Sequence, residues 1–209
     1  MGCTTNPAPE QTAPPTSSPS PESALEDTPL ADTPDTSDTS EEAALWEQLR
    51  RPDNQLYAVL LRHARAPGTG DPASFQLDDC TTQRNLSEAG REQAVRIGDV
   101  FRERGVSVRQ VLSSQWCRCL ETAELMNLGD VKPFTPLNSF FRDNTTTAAQ
   151  TAAVQDYLLT QEETPGVVIM VTHQVNITAL TDYVPDSGEA VVMEVEDQEL
   201  TLHGRLTPE

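Results

Sequence analysis

Tyr57-Ala58-Val59-Leu60-Leu61-Arg62-His63-Ala64-Arg65 is the stretch on which the fold turns. Five apolar residues in a row, without polar alternation, describe a strand buried on both faces, as in a parallel sheet. The run ends abruptly at a cation and a titratable ring. The figure recurs further along: residues 106–112 read as a strand leading into Ser113-Ser114, and Gly166-Val167-Val168-Ile169-Met170-Val171 stops at Thr172-His173. Helices separate these strands. Ser87 opens one in which Ala94, Ile97, Gly98 and Phe101 fall at helical spacing and Gly105 supplies the stop. Others are expected over about 118–126 and 147–160, and Asn176 is expected to cap a short one reaching Tyr183.

Working outward, residues 42–51 read as a short helix with Leu45, Trp46 and Leu49 on one face, ended by Pro52 and placed as a lid. Residues 189–195 and 199–206 alternate more weakly and suit edge strands. Residues 66–86 form a polar loop longer than a connector needs, which points to function. Strands alternating with helices give an α/β fold, a three-layer sandwich whose mostly parallel sheet carries helices on both faces.

Residues 1–42 differ in kind. They hold nine acids, no Lys or Arg, no aromatic residue and eight prolines, so a disordered tether is expected there, with the folded domain over 43–209. That domain carries 24 acids against 14 bases, which argues against nucleic acid and anionic membrane surfaces as partners. Thirteen of the bases are Arg, whose planar fork suits phosphate. Asn6 stands where a myristoylation signal needs Ser or Thr. The Gly2-Cys3 start before a Thr/Ser/Pro-rich stretch resembles a mature bacterial lipoprotein, which predicts membrane attachment through a lipidated Cys3 and a cell-envelope location, with a signal peptide already removed; otherwise the chain is cytoplasmic. No 18-residue apolar run occurs in the sequence.

In open parallel sheets the carboxyl ends of the strands form the ligand crevice. Arg62, His63, Arg118 and His173 therefore converge into a cationic pocket inside an acidic chain, suited to a phosphoryl group. A neutral imidazole can attack phosphorus, while Arg62, Arg118 and a protonated His173 stabilise charge on the transferring oxygens. This chemistry calls for no metal and no cofactor.

Leu61-Arg62-His63-Ala64 after a strand, Leu86-Ser87-Glu88-Ala89-Gly90 opening a helix, Ser113-Ser114 with Arg118-Cys119-Leu120-Glu121-Thr122-Ala123, and Val171-Thr172-His173 together resemble the histidine phosphatase superfamily, with its phosphoglycerate mutase-like fold. The small bacterial envelope type, similar to the lipopolysaccharide-core heptose phosphatase, is the nearest variant. The resemblance implies a phosphomonoester hydrolase acting on a small phosphorylated substrate, with His63 as the phosphohistidine and Arg62, Arg118 and His173 around the phosphate. Arg84 and Ser113 are expected to bind substrate, and Trp116, Phe140 and Phe141 to wall the pocket.

Two departures stand out. Ala64 replaces the family's Gly, and Ser139 stands where the family's acidic Glu is expected, leaving Asp143 as the chosen general acid, with Asp71 and Asp79 behind it. Glu121 is expected to pair with an Arg. A site without an acid keeps open a non-catalytic phospho-ligand binding module and a protein phosphohistidine phosphatase. The Cys-x-Cys of Cys117 and Cys119 lacks a second pair for zinc. Cys80 either bridges to Cys117 or Cys119, or all three pack as reduced thiols.

Overall fold

Leu56–Arg62, the deciding stretch, is strand β1, and no residue of it from Leu56 to Leu61 is more than 4% exposed. In the computed structural model, which describes residues 1–2 and 36–208, the other strands are β2 (Val108–Ser113), β3 (Val131–Pro133), β4 (Gly166–Thr172), β5 (Ala190–Glu196) and β6 (Glu199–Leu206). They form one sheet in the order β3-β2-β4-β1-β5-β6. The first four run parallel, and β5 and β6 close the sheet antiparallel. The tether proposed over residues 1–42, with Cys3, falls largely outside the described residues.

Two apolar layers sandwich the sheet. On one face α1 (Thr36–Arg50), α2 (Glu88–Glu103) and α3 (Cys117–Met126) pack Leu49, Phe101 and Met126 against Val59, Val111 and Ile169. On the other, α4 (Thr147–Leu159) and α5 (Gln174–Thr181) bring Leu158 and Ile177 against Leu60, Val168 and Met170. The three-layer α/β expectation holds. No helix among the described residues is long and apolar enough to cross a membrane.

Four local expectations need correction. Helix α1 begins at Thr36, not near residue 42. Burial of Leu45, Trp46 and Leu49 anchors it. Strand β5 is internal, hydrogen-bonded to β1 on one side and β6 on the other, so the weak alternation reflected burial on both faces. The three-residue β3 was too short to leave a pattern. Asn176 does not cap α5 but lies within it, its Nδ2 donating to the Asn138 carbonyl, and the helix ends at Thr181 where Asp182 turns to φ 58°.

Register brings the site together. Arg62 pairs with Thr172 and Ser113 with Val171, so β1, β2 and β4 end on one rim. Helix α2 is drawn up to that rim: Ser87 Oγ accepts from Gly90 N, and the Ser87 N–H donates to the Arg65 carbonyl. Gly90 permits the approach, since a Cβ there would stand 2.0 Å from the Arg65 oxygen.

Candidate active site

Arg118 organises the rim. From the first turn of α3, and only 2% exposed, its Nε donates to His63 Nε2 at 3.2 Å, its Nη2 to His173 Nδ1 at 3.2 Å, and its Nη1 to Asp71 Oδ1 at 2.8 Å. The network assigns both tautomers. His63 Nδ1 carries its proton toward the Ala64 carbonyl at 2.8 Å, leaving Nε2 unprotonated, its lone pair accepting from Arg118. His173 carries its proton on Nε2, which donates to Ser114 Oγ at 2.9 Å. Ser114 Oγ in turn donates to Asn138 Oδ1, and that oxygen also accepts from Gln115 N.

Burial, and after it the Arg118 charge, pushes His63 down to about 3 and His173 well below its ordinary value. The protonated His173 expected from the sequence is therefore corrected to a neutral one. Positive charge comes instead from Arg118, from Arg62, whose buried Nε has no hydrogen-bond partner among the described residues, and from Arg84. Stability follows from the same shifts. The unfolded chain binds protons on these histidines below about pH 6.5 while the fold refuses them, so stability is present above that pH and falls toward the folded value near 3. Melts between pH 7 and 5 should show a loss approaching ~1.4 kcal/mol per pH unit for each histidine, shallower in His63→Gln. A flat profile would contradict a neutral, buried pair.

Other predicted residues separate. Arg84 lines the cavity, held by Nε to the Gly70 carbonyl and Nη1 to the Ala66 carbonyl. Ser113 does not: it is fully buried and its Oγ donates to the Ser114 carbonyl, while Ser114, equally buried, is the residue that meets His173. Asp143 reaches the rim, but its Oδ1 accepts from Thr145 N and Oγ1, capping a 3-10 turn, and those bonds lower its pKa. A general acid needs the opposite shift. Asp79 is likewise spent on Thr81. Glu121 pairs with Arg91 at 2.6 Å. Phe140 is 7% exposed and leaves the wall to Trp116 and Phe141.

Sequence reasoning missed Asp71 as an anchor, Asn138 and Phe75. Asp71 accepts from Arg118, from Trp116 Nε1 at 3.0 Å and from Arg84 N at 3.1 Å, and although burial opposes ionisation, these bonds hold its pKa below the ordinary value. Phe75 stacks on Trp116, with ring centroids 5.0 Å apart. Among the described residues no three His, Cys, Asp or Glu side chains cluster as metal ligands.

Cys80 is bonded to Cys117, while Cys119 stays buried and free. The bridge fastens the loop bearing Asp71 and Arg84 to the start of α3, where Gln83 Oε1 also accepts from Cys117 N. It spans 37 residues, and closing such a loop removes unfolded-state entropy worth about 4 kcal/mol at the upper limit. The Cys80→Ser/Cys117→Ser variant should therefore melt at lower denaturant, with a somewhat larger m-value because the unfolded chain expands.

Residues 58–138, which carry β1, the loop, α2 and the Arg118 helix, match the model of the histidine phosphatase superfamily, branch 1. No curated protein matches this chain by sequence. Among solved structures it is similar to a phosphoserine phosphatase mutant from Entamoeba histolytica bound to phosphoserine, with TM-score 0.55 and 11% identity over 74% of this chain and 98% of that one. A Mycobacterium tuberculosis open reading frame, Rv3214, gives TM-score 0.54 and 15% identity over 70% of this chain and 94% of that one. The protein histidine phosphatase SixA with tungstate gives 0.50 and 14% over 73% and 97%. At these identities the likeness establishes the fold alone.

Proposed function

We propose that this chain hydrolyses phosphomonoesters through a phosphohistidine on His63, and that it works in the cell envelope. The carrying observation is the unprotonated Nε2 of a neutral, buried His63, held at the rim by the Arg118 guanidinium. Nε2 attacks phosphorus, the ester P–O bond breaks, and its electron pair leaves with the alcohol oxygen. Arg62, Arg84 and Arg118 balance the negative charge on the three remaining oxygens. Water then attacks the phosphohistidine, releasing inorganic phosphate and restoring the imidazole. A small phosphorylated molecule suits the cavity of about 350 Å3.

The envelope setting is supported by the Cys80–Cys117 bridge, since disulfides persist in oxidising compartments, and the lipopolysaccharide-core heptose phosphatase type and attachment through Cys3 are proposed with it. The test of the activity is turnover of para-nitrophenyl phosphate together with alkali-stable, acid-labile labelling of the protein. Phosphate binding without either would make the chain a phospho-ligand binding module instead. Asp143→Asn should change the rate on alkyl and aryl phosphates by less than ~2-fold, because its carboxylate is already spent on Thr145. A large loss confined to the alkyl ester would restore it as the acid.

A further inference from the structure

The cavity beyond the phosphoryl-binding rim is walled by rings. Phe75 and Trp116 stack with planes 22° apart, and the indole N–H is anchored on Asp71, which fixes the platform's orientation. Phe141 lines the same cavity from the other loop, in contact range of Gly70, and is 58% exposed. An aromatic ring left in water at a pocket mouth is not explained by core packing, which takes its neighbour Phe140.

The second observation is what the rim lacks. Ser139 lines the cavity but cannot serve as an acid, Asp143 is tied to Thr145, and Asp71 is ionised and locked between Arg118 and Trp116. A leaving oxygen there gains no ready proton, so a strongly basic alkoxide departs slowly whereas a phenolate, with a conjugate acid near ~10, departs unaided.

We propose that the substrate class of this site is an aryl phosphomonoester, its ring held between Phe141 and the Phe75–Trp116 platform. The inference rests on the hydrolase reading above and narrows it. In the reaction the His63 Nε2–P bond forms as the P–O(aryl) bond breaks; the pair stays on the phenolate oxygen, which takes its proton from water after release. The ring's offset contact with aromatic walls supplies binding that a sugar or simple alkyl group does not.

The experiment compares kcat/KM of the full chain on 2-naphthyl phosphate, glucose 6-phosphate and acetyl phosphate, then repeats it with Phe141→Ser. Acetyl phosphate has a good leaving group and no ring, so it separates leaving ability from ring contact. Naphthyl over glucose phosphate should exceed ~10³-fold, and the naphthyl-to-acetyl ratio should fall about tenfold in the variant. Turnover of acetyl phosphate with no aryl preference, equal or faster turnover of the sugar phosphate or of a phosphohistidine peptide, or an unmoved ratio in the variant would each overturn the inference alone. Absence of turnover on all three, with phosphate still bound, overturns the hydrolase reading and this inference with it.

Discussion

His63→Ala should reduce turnover of para-nitrophenyl phosphate by ~10⁴-fold or more and erase protein labelling trapped by rapid alkaline denaturation, because the atom that bonds to phosphorus is gone. The fold should survive. His63 sits at the strand end with one hydrogen bond of its own making, to the neighbouring Ala64 carbonyl, and the alanine cavity opens onto the pocket and not into the core. Labelling that persists in the variant would move the nucleophile elsewhere, and His173 is the first place to look.

Arg118→Ala should cost ~10³-fold or more in kcat/KM and also destabilise the protein. The rate loss follows from removing a preorganised cation that touches both histidines. The stability loss follows from Asp71, whose side chain is 7% exposed and loses its ion-pair partner, a situation that costs about 3 kcal/mol when a buried charge is left uncompensated. The double variant Arg118→Ala/Asp71→Ala should recover much of the stability and none of the activity. If the double variant is as unstable as the single one, the stability loss comes from the vacated space and not from the stranded carboxylate.

Much of this site was legible because it hangs on strand ends. The apolar runs located the end of β1 and of β4, and the residue after each strand, His63 and His173, had nowhere to go but the rim. The choice between Ser113 and Ser114 was not legible, since consecutive strand residues point to opposite faces and the answer depends on where β2 stops. Asp71 and Phe75 lie in a loop with no periodicity, and their roles arise from a partner 45 residues away in one case and from stacking in the other. The pairing of Cys80 with Cys117 over Cys119 is equally a matter of helix facing: two residues along α3, Cys119 turns into the core. Asp143 looked available in the sequence because a capping bond to Thr145 leaves no trace there beyond the residue types.

The carbonyl that accepts the His63 Nδ1 proton belongs to the very next residue. Once a phosphoryl group sits on Nε2 the ring becomes a cation, and across its Nδ1–H it meets a dipole where many catalytic histidines meet a full carboxylate. The intermediate is thereby kept high in phosphoryl-transfer potential. In the proposed reaction its breakdown is then expected to outrun its formation, so that rapid-quench measurement should show no burst before the steady state and labelling should be seen only when the enzyme is denatured during turnover, with the lifetime of the phosphoenzyme written into a single peptide bond.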